Sequence, residues 1–353
     1  MTSINQSRGA ACCAHKNGRG FEAAAVGSES HGLPAAPTTD PVADSLAARF
    51  PGFVPDPGWS AAAEIFPPLA PAEYLARVQQ PRPSDPVFRQ LAPSGDELAA
   101  AGGDDPVGEE EFEAVPGLLH RYPDRALLLV TANCFVRCRH CMRKRRWADR
   151  SSGPTAGRVQ EWRAYLAAHT EVREIILSGG DPLTLSDREL GGLLRSLRSV
   201  RPPRSLRVHS RALAAVPSRI TPRLASLLAE NGVARFVTQV NHPAEISDEV
   251  RAAAARLADA GIAVENQSVL LRGVNDSAET LADLFAALTG AGIRPYYLHH
   301  PDPVRGAMHF HLSLDAGLAI WRSLQATYRG PLPEYVVDVP GRKGKRKVEE
   351  IRK

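Results

Sequence analysis

Three cysteines that lie close together in the sequence could bind a metal cluster. Cys134, Cys138 and Cys141 form a C-x3-C-x2-C pattern directly after the apolar run 126–130. Thiolates are the usual protein ligands of iron–sulfur clusters, and three of them leave one corner of a four-iron cluster open to a small molecule. The pattern therefore predicts a cluster that takes part in chemistry. The alternative is a structural zinc site, but His140, the adjacent fourth ligand, would be sterically awkward between two others.

The same spacing matches the signature of radical S-adenosylmethionine enzymes, in which that cofactor occupies the fourth iron. Five further segments resemble the lysine 2,3-aminomutase family, in that family's order, and the resemblance spans roughly residues 85–347. These segments are His-Arg-Tyr-Pro-Asp-Arg at 120–125, Leu-Ser-Gly-Gly-Asp at 177–181, Asn-Gln-Ser-Val-Leu-Leu-Arg-Gly-Val-Asn-Asp at 266–276, Arg-Pro-Tyr-Tyr-Leu at 294–298 and Tyr-Val-Val-Asp-Val-Pro at 335–340.

The resemblance implies an isomerase that converts L-lysine to β-lysine. It implies three cofactors, which are a [4Fe-4S] cluster, S-adenosylmethionine and pyridoxal 5′-phosphate, with a radical from the second removing the C3 hydrogen of the substrate. It also implies an electron donor such as a flavodoxin or ferredoxin, and a homo-oligomer. No zinc is expected, because no cysteine follows Cys141 and the zinc-binding carboxy-terminal extension of some relatives is absent.

The Gly-Gly-Asp segment is a candidate contact for S-adenosylmethionine. Two glycines after a strand let the backbone approach a ligand closely, because no Cβ intervenes. By resemblance the segment lies along the methionyl part of the cofactor. The predicted contacts are Ser178, Gly179, Gly180 and Asp181, with Arg211 and Gln267 as further candidates.

A lysine near the carboxy terminus is the predicted attachment point of pyridoxal phosphate. The family carries this cofactor on a lysine seven residues after the aspartate of an Asp-x-Pro-Gly segment, and counting from Asp338 gives Lys345. Because this chain departs from the glycine-rich form of that segment, Lys343 and Lys347 remain competing positions. The catalytic assignment is Lys345.

Three arginines and two aspartates are predicted to hold the phosphate and the substrate. Arg121 and Arg125 match the family's phosphate-binding pair, and guanidinium groups suit phosphate geometrically. Arg143 matches the residue that binds the α-carboxylate of the substrate. Asp302 and Asp338 match the carboxylates that receive the distal ammonium. Two buried anions need a cation, so a glutamate substrate is disfavoured, while arginine stays possible.

Alternating apolar and amphipathic segments predict the elements that position these residues. Six strand candidates alternate with six helix candidates, which favours a parallel sheet. The strand candidates are 126–131, 173–178, 205–210, 234–240, 263–271 and 293–299, and the helix candidates are 157–169, 187–200, 221–231, 247–260, 278–291 and 313–328. The resemblance selects an incomplete (β/α)6 radical-SAM barrel. Each strand candidate ends in polar or reactive residues, where such a barrel places its active site.

Composition divides the chain further. Residues 1–50 are rich in Ala, Gly, Ser and Pro and are predicted to be disordered or loosely ordered, which makes Cys12 and Cys13 incidental. Residues 51–115 are predicted to form a helical extension. The partial barrel is expected at 116–330 and a cofactor- and substrate-binding segment at 331–353.

The overall balance of residues excludes some functional classes. Of 353 residues 43% are hydrophobic and 23% charged, with a formal charge of +4, so nothing demands a nucleic-acid or membrane partner. No apolar run approaches the roughly 20 residues that span a bilayer, and no signal peptide is recognisable. Five cysteines, three of them clustered, make a poor disulfide framework. We therefore expect a cytoplasmic protein.

Three alternatives remain from the sequence. One branch of the family supplies β-lysine for modification of elongation factor P, and the segment 209–211 resembles that branch. An aminomutase that acts on arginine is the second alternative. The third is a non-enzymatic zinc module that binds nucleic acid through the basic runs 143–146 and 342–347.

Overall fold

The computed structural model describes residues 40–149, 153–341 and 344–351. Cys12, Cys13 and the alternative attachment site Lys343 lie outside these residues. The described chain forms one ten-stranded sheet in which neighbouring strands follow the chain order, with helices between them. No helix in these three ranges combines the length and the apolar character needed to cross a membrane.

The elements have the following bounds. The strands are β1 Glu113–Val115, β2 Leu118–Tyr122, β3 Arg125–Thr131, β4 Glu174–Gly179, β5 Ser205–His209, β6 Val233–Thr238, β7 Ala263–Val269, β8 Arg294–His299, β9 Glu334–Asp338 and β10 Lys345–Lys347. The helices are α1 Pro41–Arg49, α2 Trp59–Ile65, α3 Ala72–Leu75, α4 Pro86–Leu91, α5 Ala156–Ala168, α6 Asp187–Arg198, α7 Ala212–Ala215, α8 Pro222–Glu230, α9 Asp248–Asp259, α10 Ala278–Gly290 and α11 Leu314–Thr327.

The central strands confirm the predicted parallel sheet. Strands β3 to β8 are parallel, and all six lie within two residues of the predicted positions. The sheet does not close, because β1 and β10 stand at its two ends in the described strand order. The architecture is therefore an incomplete (β/α)6 barrel to which β9 adds a seventh parallel strand.

Side-chain caps mark the residues at which the helices begin. A Ser or Thr side chain accepts a hydrogen bond from the first turn of six helices, which satisfies a backbone donor there. These caps are Thr155, Ser186, Thr221, Ser247, Ser277 and Ser313. Helix α6 shows why the helices pack on the sheet: its buried leucines recur at three- and four-residue intervals and so share one face.

The amino-terminal extension has its own core, and its boundaries correct the sequence prediction. Helix α1 lies within residues 1–50, which were predicted to be loosely ordered; Val42 and Leu46 are buried against Trp59 and Phe88. Asp40 caps α1 and accepts a hydrogen bond from the indole of Trp59. The sequence did not predict α1, because a short helix with few apolar residues shows little hydrophobic periodicity. The boundary at 115 is also corrected, because it falls inside the β1–β2 hairpin.

The carboxy-terminal segment 331–353 is likewise not a separate unit in its described part. Strand β9 pairs in parallel with β8 and antiparallel with β10, so this segment continues the barrel sheet. Sequence reasoning missed the strand because five residues without a following helix do not make a βα repeat.

A buried ion-pair cluster joins the extension to the cysteine loop. Glu97 accepts hydrogen bonds from Arg139 at 2.8 and 2.5 Å and from Lys144 at 2.7 Å, and the three side chains are almost completely buried. Burial lowers the pKa of Lys144 to about 8, although Glu97 opposes that shift. Buried charges of this kind are costly to leave without a partner.

We predict that Glu97→Ala lowers the free energy of unfolding by about 3–5 kcal/mol, because it leaves two buried cations uncompensated. Urea unfolding of the cofactor-free protein measures this change. The control is Glu111→Ala in an exposed position of the same region, which should change stability by no more than about 0.5 kcal/mol. Equal effects of the two substitutions would contradict a stabilising role for Glu97.

Candidate active site

The cysteine loop follows β3 and is positioned by the extension. Backbone hydrogen bonds run from Arg137 to the carbonyl of Leu69 and from Arg139 to the carbonyl of Gln90. The three cysteines line a cavity of about 270 Å³ at the carboxyl ends of the strands. This is the edge at which the sequence predicted them.

The thiol of Cys141 is less acidic than a free thiol. Burial raises the pKa of the Cys141 thiol to about 11, so metal binding must displace protons.

Four predicted S-adenosylmethionine contacts lie in the same cavity as the cysteines. They are Ser178, Gly179, Gly180 and Asp181. The structure adds a packing reason for the glycines, because a Cβ on Gly179 would lie 2.7 Å from the carbonyl oxygen of Thr131 and one on Gly180 2.2 Å from that of Asn133. The glycines therefore let β4 pack against β3 and the cysteine loop.

Asp181 is buried and mainly organises the loop after β5. Its carboxylate accepts hydrogen bonds from the hydroxyl of Ser210 at 2.7 Å and from the backbone N–H groups of Arg211 and Leu183 at 3.0 Å. Burial raises the pKa of Asp181, and these hydrogen bonds oppose the shift. The predicted contact thus has a second task, which is to hold Arg211 beside the cysteines.

Arg211 contacts a cysteine directly. Its guanidinium lies 2.6 Å from the sulfur of Cys138 and donates to Tyr74, Gln90 and Glu245 at 2.7–2.9 Å. Tyr74 and Gln90 belong to the amino-terminal extension, so the extension holds the Arg211 guanidinium against the cysteine loop. Sequence reasoning missed the three supporting residues; a buried Tyr and Gln in short helices carry no recognisable motif.

A second cavity of about 390 Å³ adjoins the first. Its lining includes the predicted phosphate-binding arginines, Arg121 and Arg125, together with Tyr296 and Tyr297. The residues common to both cavities are Leu127, Met142, Arg143, His209, Gln267, Asp338 and Lys345. Lys345 and Gln267 therefore lie at the junction of the cysteine cavity and the arginine cavity.

Asp338 and Lys345 form an ion pair across a hairpin. They face each other in the register of β9 and β10, and the Lys345 Nζ lies 2.9 Å from the Asp338 carboxylate. The other carboxylate oxygen accepts from Arg121 at 2.8 Å. Burial alone would lower the pKa of Lys345, but Asp338 outweighs it and the pKa lies above its usual value. The β9–β10 hairpin spans the seven-residue interval from Asp338 to Lys345 and so brings the two side chains into contact.

Three further predicted residues each have a charged neighbour. They are Asp302 and Arg143, predicted to bind the substrate, and Arg125, predicted to bind the phosphate. Asp302 follows β8 and lines the cysteine cavity, and burial together with Asp338 raises its pKa to about 7. Arg143 donates through Nε to both oxygens of Glu109 at 3.0–3.1 Å. Arg125 donates to its neighbour Asp124 at 2.9 and 3.0 Å. Glu109 was missed because nothing local distinguishes it within an acidic segment.

The described part of the basic runs does not form an open cationic surface. Lys144 contacts Glu97, Arg145 contacts Asp105 at 3.2 Å, and Arg146 contacts Glu113 at 3.4 Å. Since phosphate binding needs cations that are available to the ligand, these ion pairs argue against the nucleic-acid-binding alternative.

Comparison with known proteins identifies relatives over most of the chain. Residues 128–285 match the Radical SAM superfamily. L-lysine 2,3-aminomutase of Escherichia coli strain K12 is 41% identical over 292 residues, which cover 80% of this chain and 84% of that protein. The enzyme of the same name from Haemophilus influenzae is 37% identical, covering 81% and 85%. The one from Methanococcus maripaludis is 39% identical, covering 74% and 61%.

We predict that Cys134→Ala, Cys138→Ala and Cys141→Ala each abolish binding of one four-iron cluster, because three protein ligands are the minimum for this pattern. Iron content and visible absorbance after anaerobic reconstitution measure the loss. The control is the double variant Cys12→Ala/Cys13→Ala, which should keep about four irons per chain. A single variant at the three positions that retained a full cluster would refute the assignment.

Proposed function

The chain belongs to the lysine 2,3-aminomutase family, and from this premise we propose that it moves the α-amino group of L-lysine to C3, with β-lysine as the product. Membership makes it a radical S-adenosylmethionine aminomutase, an isomerase. It also implies a [4Fe-4S] cluster, S-adenosylmethionine and pyridoxal phosphate. A one-electron donor such as a flavodoxin or ferredoxin, and a homo-oligomeric state, are parts of the same proposal.

The position of Lys345 is the observation that carries the proposal. Its amine lies where the cysteine cavity meets the arginine cavity. A lysine at that point can hold pyridoxal phosphate in one cavity while the reacting carbon faces the other. Lys347 supports this choice indirectly, since its ammonium pairs with Glu334 at 3.3 Å and it lines only the arginine cavity.

The residues around the two cavities fit the implied cofactors. When bound, the cluster and S-adenosylmethionine supply a radical, and pyridoxal phosphate supplies an electron sink. Arg121 and Arg125 offer guanidinium groups to the phosphate in the second cavity. Gln267, at the junction, can orient a polar group of either ligand. Residues of the barrel strands would hold the reacting groups in position.

Arg143 can bind the α-carboxylate while Glu109 holds it in place. Glu109 uses the Nε and Nη2 groups of Arg143. The Nη1 group takes no part in that pair, so a substrate carboxylate can bind there. A guanidinium fixed by one carboxylate needs less reordering to bind a second.

The ion pair of Asp338 supports a substrate with a cationic side chain. In the described state a primary ammonium, that of Lys345, already lies 2.9 Å from this carboxylate. If pyridoxal phosphate were attached to Lys345, that ammonium would no longer neutralise Asp338, and Asp302 would add a second carboxylate. The distal ammonium of lysine restores the balance of charge, whereas glutamate would add a further anion.

We predict that borohydride reduction of the pyridoxal-loaded protein labels Lys345, since this lysine alone of the three candidates follows Asp338 by seven residues. Peptide mapping by mass spectrometry locates the label. Lys347→Ala serves as the matched control and should still be labelled at Lys345, whereas Lys345→Ala should not be labelled. A label on Lys343 or Lys347 in the parent protein would show that the attachment site is wrong.

We also predict that Asp302→Asn and Asp338→Asn each lower kcat/KM for lysine by roughly a hundredfold or more, because loss of a buried partner costs about 3–5 kcal/mol. Asp259→Asn, in an exposed position of α9, should not change it. Lysine, arginine and glutamate are compared as substrates. If the parent enzyme prefers arginine, the proposed substrate is wrong but the proposed pocket for a cationic side chain stands. If it prefers glutamate, both the substrate and the pocket are wrong.

The pKa of Asp302 predicts how activity depends on pH. With a pKa of about 7 its carboxyl is neutral below pH 7 and charged above it, and only the charged form attracts an ammonium. We expect kcat/KM for lysine to fall about tenfold per pH unit below pH 7, and this limb should be absent from Asp302→Asn. A parent profile that is flat from pH 5.5 to 8 would contradict the role of Asp302.

A further inference from the structure

Three side chains that could bind a metal ion meet on the outside of β2, away from both cavities. They are His120 in β2, His169 at the end of α5 and Glu171 in the following loop. Each offers one ligand atom, and these atoms all lie within 4.8 Å of one another. In the described part of the chain, no other His, Cys, Asp and Glu residues form such a group. None of the three lines either cavity.

His120 is oriented in the way that metal-binding histidines usually are. Its Nδ1 lies 2.8 Å from the hydroxyl of Tyr165, while its Nε2 is buried and has no hydrogen-bond partner in the structure. A histidine ligand commonly binds the metal through one nitrogen and donates its other N–H to an oxygen, which sets the tautomer. A buried nitrogen without a partner is costly. A metal ion at Nε2 would remove that cost.

Tyr165 also positions the second histidine. The rings of Tyr165 and His169 stack with centroids 4.0 Å apart, and the rings of His120 and His169 are 5.6 Å apart at 80°. His169 Nδ1 lies 2.7 Å from a carboxylate oxygen of Glu171. The side chains of His169 and Glu171 are 37% and 52% exposed, so a metal ion from solvent can reach them.

We propose that His120, His169 and Glu171 bind one Zn²⁺ ion, with water as the fourth ligand. Two imidazoles and one carboxylate are a known zinc donor set, and the ligand atoms of such a site lie about 3.4 Å apart. One ligand atom of each residue must therefore move toward the others by no more than about 1.4 Å. The ion would join β2 to α5 behind Arg121, which lines the arginine cavity.

The test measures zinc bound by the full chain after its iron–sulfur cluster has been assembled. Equilibrium dialysis against ZnCl₂ and elemental analysis should give one zinc per chain. His169→Ala and Glu171→Gln should each weaken zinc binding at least tenfold. Tyr165→Phe, which removes only the hydroxyl that orients His120, should weaken it roughly tenfold. His311→Ala, at a histidine outside the group, is the matched control and should bind zinc like the parent.

Zinc can also bind to empty cysteine sites, and a second variant separates the two. The triple variant Cys134→Ala/Cys138→Ala/Cys141→Ala should bind one zinc with the parent affinity. Zinc should also raise the Tm of the parent but not that of His169→Ala. The proposal is overturned if the triple cysteine variant loses the zinc, if His169→Ala binds zinc like the parent, or if the parent binds none.

Discussion

The parallel sheet is the constraint on which the site depends. Parallel strands bring their carboxyl ends to one edge, and residues far apart in the sequence meet there. The cysteines follow β3, Gly179 ends β4, and Asp302 follows β8. Strand β9 extends the edge by one position and places Asp338 beside them. Because β10 pairs with β9, this added strand also fixes the position of Lys345 relative to the cysteines.

Ion pairs also join neighbouring strands of the barrel. Glu174 contacts Arg207 and lies 3.6 Å from Arg235. Arg235 and Arg294 both contact Glu265, which is buried. Each carboxylate thus has two cationic neighbours on adjoining strands, and paired charges of this kind tolerate burial. Arg207 also lines the arginine cavity, so these ion pairs adjoin that cavity.

Much of the fold and part of the site could be predicted from the sequence. The six central strands and their helices were found because their apolar periodicity is local. The short spacing of Cys134, Cys138 and Cys141 predicted that they lie together, and they line one cavity. The distance of seven residues from Asp338 to Lys345 was equally informative, since a hairpin turns that interval into a direct contact.

Contacts between distant segments were decided only by the tertiary structure. Glu109 holds Arg143, and Arg211 contacts Cys138; neither pair follows from the motifs that contain its members. Gly179 leaves no room for a Cβ where β4 packs against β3, which its motif does not show. The sequence alone determined the residue types and the local repeats that make the chemistry possible. Which charges neutralise one another was decided by folding, because Coulomb interactions depend on distance in space and on burial, and neither can be read along the chain.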